Sequence, residues 1–293
     1  MLVTQILTRL QAWLRQHPHL KAWLLPAYVR MLHWRWQMRN LLTRHRPIVF
    51  HAGQFPLKMY PDGSIPEVLY SGSFEATERD FVAAFLQPGM TVVDAGANVG
   101  LYTLAVCALV GATGKVYAFE PGRLTFERLR RNLDLNQCKN VVATHVALSN
   151  THEQMVLRMD PTHPTLDAHR FVQPIGTVIR PTSTDEIVEC QTLDGYFLAH
   201  EVVGTIDFMK IDVEGAELAL LQGAERTLAR STDITILLEC TQNRDQVRDL
   251  LVRHGFQCFV WDGVERALRP VVFDEAIATG SIVLRRQQWD SKL

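Results

Sequence analysis

The sequence predicts an α/β protein with a doubly wound, mostly parallel sheet of seven strands, the last of them reversed. Two observations lead to this fold class. Short apolar stretches alternate along the chain with helical patterns, at a spacing that suits right-handed crossover connections. Residues 92–104 combine a buried strand, a tight turn of small residues and the apolar start of a helix, which is the first unit of a nucleotide-binding sheet. We therefore expect a ligand site at the carboxyl edge of the strands.

The tight turn and the end of the next strand contain the candidate nucleotide-binding residues. Glycines in the turn let the backbone approach a ligand, and the helix that follows presents free N–H groups. The second strand ends at a carboxylate about 20 residues beyond the turn, where such folds bind a ribose diol. The candidate residues are Asp94, Gly96, Ala97, Asn98, Gly100, Glu120 and Pro121.

The charge of the turn discriminates between nucleoside ligands. A dinucleotide site places its pyrophosphate on a G-x-G-x-x-G turn, whereas this turn has Asp94 at the strand end and Asn98 in place of a glycine. A carboxylate at this point repels phosphate but suits S-adenosylmethionine, whose sulfonium and ammonium groups are positive. An ordinary strand-to-helix turn is the alternative without a ligand, and Glu120 favours the ligand site over it.

Composition indicates a globular protein with one large α/β domain and an appendage. The 293 residues are 47% apolar and 21% charged, with a formal net charge of −1. The five cysteines are odd in number and widely spaced, which indicates reduced thiols in a cytoplasmic protein without a zinc site. Because no run of about 18 apolar residues occurs, we expect no membrane-spanning helix. Arginines among the first apolar positions argue against a cleavable signal peptide.

Residues 1–47 are predicted to form a basic amphipathic helical arm. Residues 1–46 contain eight arginines and lysines, no aspartate or glutamate, and four of the six tryptophans. Apolar residues recur at helical spacing on both sides of a break at Pro18. Peripheral contact with an anionic membrane and packing on the main domain or a second subunit are equal alternatives, so a homo-oligomer stays open. Nucleic-acid binding is least favoured, because the rest of the chain is acidic.

The chain after the arm divides into a lead-in over residues 48–90 and a ligand-binding core over residues 91–293. The lead-in contains short strand patterns, one of them at residues 68–70, and then a helix with Glu75 in its first turn. Glu75 either favours the helix dipole or faces the ligand site.

Two stretches of the core carry further expectations. We expect a third strand over residues 141–148, with His145 as a core histidine. Residues 160–185 contain four prolines among polar residues, which predicts a long loop. This loop is interpreted as a lid or acceptor-binding segment, with a solvated excursion as an equal alternative.

The second informative stretch ends a later strand with three charges. Lys210, Asp212 and Glu214 lie within five residues of a buried-type strand, and Gly215 lets the chain turn into a helix. Glu239 ends the fifth strand. Because a buried charge needs a partner or a function, these residues are catalytic candidates at the carboxyl edge. Solvent-facing acids of no special role are the alternative.

Several spaced motifs resemble the FkbM family of S-adenosylmethionine-dependent methyltransferases. They are V-V-D-A-G-A-N-V-G-L-Y-T-L at 92–104, F-E-P at 119–121, T-L-D at 192–194 and K-I-D-V-E-G-A-E at 210–217, and the resemblance extends from about residue 48 to 286. It implies a class I methyltransferase fold of the Rossmann-like type. It also implies methylation of a hydroxyl on a sugar, glycolipid or secondary metabolite. By the same resemblance Asp94, Gly96 and Asn98 would line the methionine end of the donor, and Glu120 would bind its ribose.

The implied chemistry asks little of the protein. The sulfonium is already an activated donor, so transfer needs alignment of the acceptor hydroxyl and removal of its proton. Asp212 is the first candidate for base or acceptor orientation, followed by Glu214 and Glu239, with Lys210 as an electrostatic partner. Asp212, Glu214 and Glu239 also offer oxygen ligands to Mg²⁺, but a metal is not favoured because their spacing is not diagnostic.

Two other classes of protein remain as alternatives. A nicotinamide-dependent oxidoreductase would share the Glu120 ribose contact, but Asp94 and the missing glycine at position 98 argue against it. A methyltransferase-like binding protein without turnover is the second. The expected partners are a small-molecule or glycolipid acceptor and no nucleic acid. The expected location is the cytoplasm, and the arm leaves membrane association open.

Overall fold

The computed structural model describes residues 18–52, 54–63, 65–71, 74–159, 170–177, 182–240, 242–273 and 280–286. The described chain begins with a segment that precedes the central sheet. This segment contains a long helix, an antiparallel hairpin and two shorter helices. They are α1 (Pro18–Leu42), β1 (Ile48–Ala52), β2 (Phe55–Met59), α2 (Ile65–Ser71) and α3 (Ala76–Phe85).

Strands and helices alternate over the rest of the chain. In chain order they are β3 (Thr91–Ala95), α4 (Leu101–Val110), β4 (Lys115–Phe119), α5 (Arg123–Leu135), β5 (Val141–Thr144), β6 (Ala147–Leu148), β7 (Glu153–Met159), β8 (Arg170–Pro174), β9 (Glu186–Gln191), α6 (Leu193–Ala199), β10 (Phe208–Ile211), α7 (Glu217–Gln222), α8 (Glu225–Arg230), β11 (Thr235–Leu238), α9 (Arg244–Arg253), β12 (Phe256–Asp262), β13 (Ala267–Pro270) and β14 (Ile282–Arg286).

The central sheet contains eight strands in the order β13-β12-β14-β11-β10-β3-β4-β5. The five strands from β11 to β5 are parallel, whereas β14 is antiparallel to both β11 and β12. The predicted α/β class and the reversed last strand are therefore confirmed. The sheet has one strand more than predicted, because β13 pairs with β12 at the edge. Its sequence, Ala-Leu-Arg-Pro, contains a charged residue and a proline and shows no strand pattern.

A second sheet contains four strands in the order β6-β9-β7-β8. In the sequence these strands come after β5 and before β10. The predicted strand over residues 141–148 is split between the two sheets, with β5 in the first and β6 in the second. The expectation that His145 is a core residue is wrong. His145 is exposed at the break, where its ring stacks on Phe126 with the centroids 5.0 Å apart.

The segment predicted as a long loop contributes a strand to the second sheet. β8 pairs with β7 in antiparallel register, from Met155 opposite Pro174 to Met159 opposite Arg170. The other parts of this segment, 160–169 and 178–181, lie outside the described residues.

The lead-in contains the expected hairpin but differs in its helices. Residues 68–70 belong to α2 and not to a strand. Glu75 precedes α3 as its N-cap residue, in the left-handed conformation with φ of 44°, and its side chain makes no capping hydrogen bond. Glu75 therefore lies one residue before the helical turn in which it was predicted. Its carboxylate is free to face the cavity described below.

α1 is the described part of the predicted arm. It packs on α2 through the buried Trp36, whose ring centroid lies 5.6 Å from that of Tyr70. The arm's first predicted helix lies outside the described residues. Among the residues that are described, no helix combines the length and the apolar character needed to cross a bilayer.

Two turns at the carboxyl edge of the sheet are in backbone contact. Asp212, which follows β10, donates its N–H to the carbonyl of Ala95 at 3.1 Å. A Cβ added at Gly96 would lie 1.8 Å from the backbone oxygen of Asp212, and Gly96 has φ of +84°. Because no other residue type fits this contact, the two motifs that are far apart in the sequence are joined through Gly96.

The contact at Gly96 predicts a large difference between two glycines of similar backbone conformation. Gly96→Ala should destabilise the protein by more than about 4 kcal/mol, because its Cβ would overlap backbone atoms that cannot move aside. Gly255 has φ of +78° and open space around it, so Gly255→Ala should cost only about 1–2 kcal/mol of backbone strain. Urea unfolding of both variants measures the difference, and equal losses would contradict the close contact.

Candidate functional site

A cavity of about 400 Å³ opens at the carboxyl ends of the central parallel strands. Its walls come from the turns after β3, β4, β10 and β11, from the second sheet and from α2. Most of the predicted site residues line it: Glu75, Gly96, Asn98, Glu120, Pro121, Asp212, Glu214 and Glu239. The other four, Asp94, Ala97, Gly100 and Lys210, are buried and do not belong to its lining.

Glu120 lies at one end of the cavity with most of its acceptor capacity already used. Its Oε1 accepts from the Gly122 N–H at 2.8 Å and from the Thr125 hydroxyl at 2.6 Å, and its Oε2 accepts from the Asn98 N–H at 2.9 Å. Burial raises the pKa of Glu120, and these hydrogen bonds, with Arg170, oppose that rise. An ionised carboxylate accepts about four hydrogen bonds, so Glu120 can accept one more from a ligand hydroxyl.

The backbone N–H groups of the tight turn are also engaged inside the protein. Gly96 and Ala97 both donate to the carbonyl of Phe119 at 3.0 Å, and Gly100 donates to the carbonyl of Ala97 at 2.9 Å. Asn98 donates to Glu120, and Val99 donates to the Asn98 side chain at 2.8 Å. The turn therefore presents no free amide cradle for a pyrophosphate.

Arg170 lines the cavity but was not predicted from the sequence. It extends from β8 to the side of Glu120, where both side chains lie against Gly122: a Cβ there would be 2.6 Å from Arg170 Nη1 and 3.0 Å from Glu120 Oε1. Arg170 Nη2 donates to Glu186 at 2.7 Å, while its buried Nε has no hydrogen-bond partner among the described residues. No local sequence signal identifies Arg170, because only the pairing of β8 with β7 brings it to the cavity.

The wall between Glu120 and the second sheet is apolar. Phe119 at the end of β4 faces side chains from β6, β7 and β8 and from the residue before β6. Such a slot suits a flat, weakly polar ring, with the polar groups at its ends fixing the orientation. The other apolar lining residues here are Val146, Leu148, Leu157 and Val172.

Lys210 is a buried cation within a strand that is otherwise apolar. The other three residues of β10 are 0% exposed, and Lys210 is 7% exposed. Its Nζ lies 2.7 Å from Asp212 Oδ2 and 4.6 Å from the ring centroid of Tyr102. Burial alone would lower the pKa of Lys210, but the carboxylates of Asp212, Glu75 and Asp94 outweigh it, so the pKa is raised and Lys210 stays charged.

Asp94 lies behind the cavity and not at its surface. It is 1% exposed, it neighbours Lys210 across the β3–β10 pairing, and its Oδ2 accepts from the Thr103 hydroxyl at 2.6 Å. Burial raises the pKa of Asp94, while Lys210 and Thr103 oppose the rise. From the sequence, Asp94 was expected to face the ligand, whereas it is buried behind the cavity, where its negative charge lies near Lys210 and its Oδ1 has no hydrogen-bond partner among the described residues.

Three carboxylates meet at the opposite end of the cavity from Glu120. One oxygen each of Glu75, Asp212 and Glu239 lies within 4.8 Å of the others, a spacing at which they can hold a metal ion. Burial and the neighbouring carboxylates Asp212 and Glu75 raise the pKa of Glu239 to about 7, although Lys210 opposes the rise. Burial likewise raises the pKa of Glu75. This end of the cavity therefore favours positive charge.

Glu214 completes the acidic end from the turn between β10 and α7. It has φ of 49°, and the following Gly215 has φ of +96°, so two consecutive residues adopt a left-handed backbone conformation here. This turn brings Glu214 into the cavity lining beside the end of β10.

The sequence is similar to those of known methyltransferases. A family model described as the methyltransferase FkbM domain matches residues 94–258, which is more than half of the chain. The chain is 26% identical to Methyltransferase 1 of Beauveria bassiana (strain ARSEF 2860), over 56% of this chain and 71% of that protein. It is 28% identical to methyltransferase sdnD of Sordaria araneosa, over 61% of this chain and 78% of that protein.

A solved structure of an FkbM methyltransferase from Methylobacillus flagellatus KT is also similar. It has 14% sequence identity and a TM-score of 0.44, and the match covers 74% of this chain. The match spans about half, 53%, of the length of that structure's chain.

The raised pKa of Glu239 predicts a pH-dependent change in stability. Since its folded-state pKa is about 7, above the ordinary 4.5, the stability that requires neutral Glu239 is complete below pH 4.5 and is lost as the pH rises through 7. Glu239→Gln is always neutral. At pH 8 the free energy of unfolding of this variant, measured with urea, should exceed that of the natural protein by about 2 kcal/mol after allowance for partial solvent exposure. Near pH 4.5 the two free energies should be equal. A difference of the same size at both pH values would contradict the shift.

Proposed function

Because the chain belongs to the FkbM methyltransferase family, we propose that it transfers a methyl group from S-adenosylmethionine to a hydroxyl oxygen of a sugar, a glycolipid or a secondary metabolite. The observation that carries this proposal is the polarity of the cavity. Its glycine turn has no free amides for phosphate, and its far end is lined by Glu75, Asp212, Glu214 and Glu239. Such a cavity suits a cationic nucleoside and disfavours a phosphate-bearing one.

The proposed donor orientation follows from the two ends of the cavity. Glu120 has one remaining acceptor position, which suits a ribose hydroxyl, and Phe119 begins the apolar slot that suits the adenine ring. Gly96, Asn98 and Pro121 line the cavity between them, and the buried Ala97 and Gly100 support this turn from inside the protein. The methionine end then lies towards Glu75, whose negative charge supports the ammonium and sulfonium groups. Asp94 contributes a buried negative charge that helps to keep Lys210 protonated.

The proposal is tested by calorimetric titration of the full chain with S-adenosylhomocysteine and, separately, with NAD. We expect saturable binding of the first and none of the second. Binding of NAD alone would support the nicotinamide-dependent oxidoreductase instead. Incubation with S-adenosylmethionine and candidate sugars, glycolipids and secondary metabolites should then add one CH₂ unit to the acceptor's mass. Donor binding without transfer to any of these hydroxyl acceptors would favour the methyltransferase-like binding protein.

The donor site predicts a specific pattern of binding losses. Glu120→Gln and Arg170→Ala should each weaken S-adenosylhomocysteine binding by about tenfold, because each removes one charge-assisted hydrogen bond or the guanidinium that supports it. Arg158→Ala is the matched control. Arg158 lies in β7, in the same sheet as Arg170, and its Nε is 3.2 Å from Asp185 Oδ1, but it does not line the cavity. The control should bind normally. Equal losses in Arg158→Ala would mean that the second sheet, and not Arg170, is responsible.

The residues at the acidic end are proposed to prepare the acceptor. Bound S-adenosylmethionine supplies a methyl group that is already activated by the sulfonium. Asp212 has one oxygen held by Lys210, so its second oxygen is fixed in position to orient the acceptor hydroxyl. Glu239 has no ion-pair partner within the described chain, which leaves it as the better proton acceptor, and Glu214 is the next candidate. A Mg²⁺ ion on Glu75, Asp212 and Glu239 is not required by this scheme.

Substitutions at the acidic end should separate orientation from proton removal. Once an acceptor gives turnover, Glu239→Gln should lower kcat by about 10²–10⁴-fold with little change in donor binding, as expected for loss of a positioned base. Asp212→Asn should mainly raise the acceptor KM. Asp245→Asn, at a carboxylate that is 81% exposed on α9, is the control and should retain full activity. Full turnover by Asp212→Asn and Glu239→Gln would remove both residues from the mechanism.

A further inference from the structure

α1 has two apolar faces, and the protein covers only one of them. On the inner face Trp36 is 3% exposed against α2. On the outer face Trp34 is 62% exposed, and Leu41 and Leu42 near the end of the helix are 68% and 77% exposed. A contiguous apolar patch that stays exposed on a folded protein typically marks a binding surface. The outer face therefore needs an occupant.

The outer face has the composition of a membrane-interface helix. With about 3.6 residues per turn, its apolar positions fall within one side of the cylinder. Arg30 and Arg35 lie at the two edges of this side and are exposed, and Arg44 and Arg46 are exposed just beyond the end of α1. We call the apolar residues of this side the outer stripe: Met31, Trp34, Met38, Leu41 and Leu42.

We propose that the outer stripe docks on the surface of an anionic lipid bilayer. Residues 1–46 carry a formal charge of +8 with no acid, and since the whole chain carries −1, the rest of the protein carries −9. An anionic bilayer attracts the arginines at the edges of the stripe, and it repels the acidic remainder. The indole and leucine side chains between the arginines then enter the boundary between headgroups and acyl chains.

Docking in this way would bring the cavity close to the bilayer. α1 contacts α2 through the Trp36–Tyr70 ring pair and through His33, whose Nδ1 lies 2.6 Å from Glu67 Oε1. Ile65 and Val68 of α2 line the cavity. One short helix thus separates the docking face from the site. The consequence that the acceptor is membrane-anchored rests on the proposed function, whereas docking itself does not.

Co-sedimentation with vesicles tests the docking. The full chain should pellet with vesicles of phosphatidylglycerol and phosphatidylcholine in equal parts and stay in solution with phosphatidylcholine alone. Trp34→Ser/Leu41→Ser should weaken the binding at least about tenfold. Arg30→Gln/Arg35→Gln/Arg44→Gln should weaken it about 100-fold, since each surface cation contributes about fivefold. Rising NaCl should weaken the natural protein's binding in the same way.

Matched controls remove exposed groups of the same kinds elsewhere. Val203→Ser/Val264→Ser changes two valines that are 91% and 92% exposed, and Arg131→Gln/Arg226→Gln/Arg253→Gln removes three exposed arginines outside the arm. Both controls should bind vesicles like the natural protein. Thermal unfolding and S-adenosylhomocysteine binding show whether each variant is folded.

Three results would overturn the proposal. Equal binding to anionic and neutral vesicles would remove the electrostatic part, and equal losses in the controls would remove the stripe. A dimer, measured by light scattering, that is lost in Trp34→Ser/Leu41→Ser while vesicle binding is unchanged would assign the stripe to a second copy of the chain. Vesicle binding without any methyl transfer to lipid-linked hydroxyls would leave docking intact and remove only the consequence that the acceptor is membrane-anchored.

Discussion

The carboxyl edge of this protein depends on one buried cation. Lys210 is placed in the middle of an apolar strand, where a charge is costly unless it is paired. It forms an ion pair with Asp212, and the carboxylate of Asp94 on the neighbouring strand adds a second favourable charge. Without its charge, the carboxylates of Asp94, Asp212, Glu75 and Glu239 would repel one another in a poorly solvated space. The ammonium group lets an acidic cavity exist at the end of a parallel sheet and remain available to a positively charged ligand.

Much of the fold and of the site was predictable from local patterns. The strand, turn and helix around Gly96, the carboxylate at Glu120 and the charged strand end at Asp212 each follow from residues only a few positions apart. In a parallel sheet all strand ends of one direction meet at the same edge, so these local patterns also predicted a common cavity. Seven of the eight predicted residues that line it, from Gly96 to Glu239, were found in this way, whereas Glu75 was singled out as an acid in the first turn of a helix.

The parts that sequence reasoning missed depend on contacts distant along the chain. Arg170 reaches the cavity only because β8 pairs with β7, and nothing near it in the sequence indicates that pairing. His145 has apolar neighbours like a core residue, but the chain changes sheets at this point and leaves it exposed. Residues 68–70 have strand-like side chains, yet they form α2 because that helix packs beneath α1 and along the cavity. The sequence predicted the strand that contains Asp94, but it did not show that Asp94 is buried behind the cavity.

The order of the central sheet has a consequence for synthesis of the protein. β14 lies between β11 and β12, so the β12–β13 hairpin reaches the rest of the sheet only through the last strand described. While the chain is still emerging from the ribosome, β11 has an open edge and the hairpin has no place to attach. The parallel half of the sheet, with its cavity, can assemble early, and the antiparallel half must wait until residues 282–286 have left the exit tunnel.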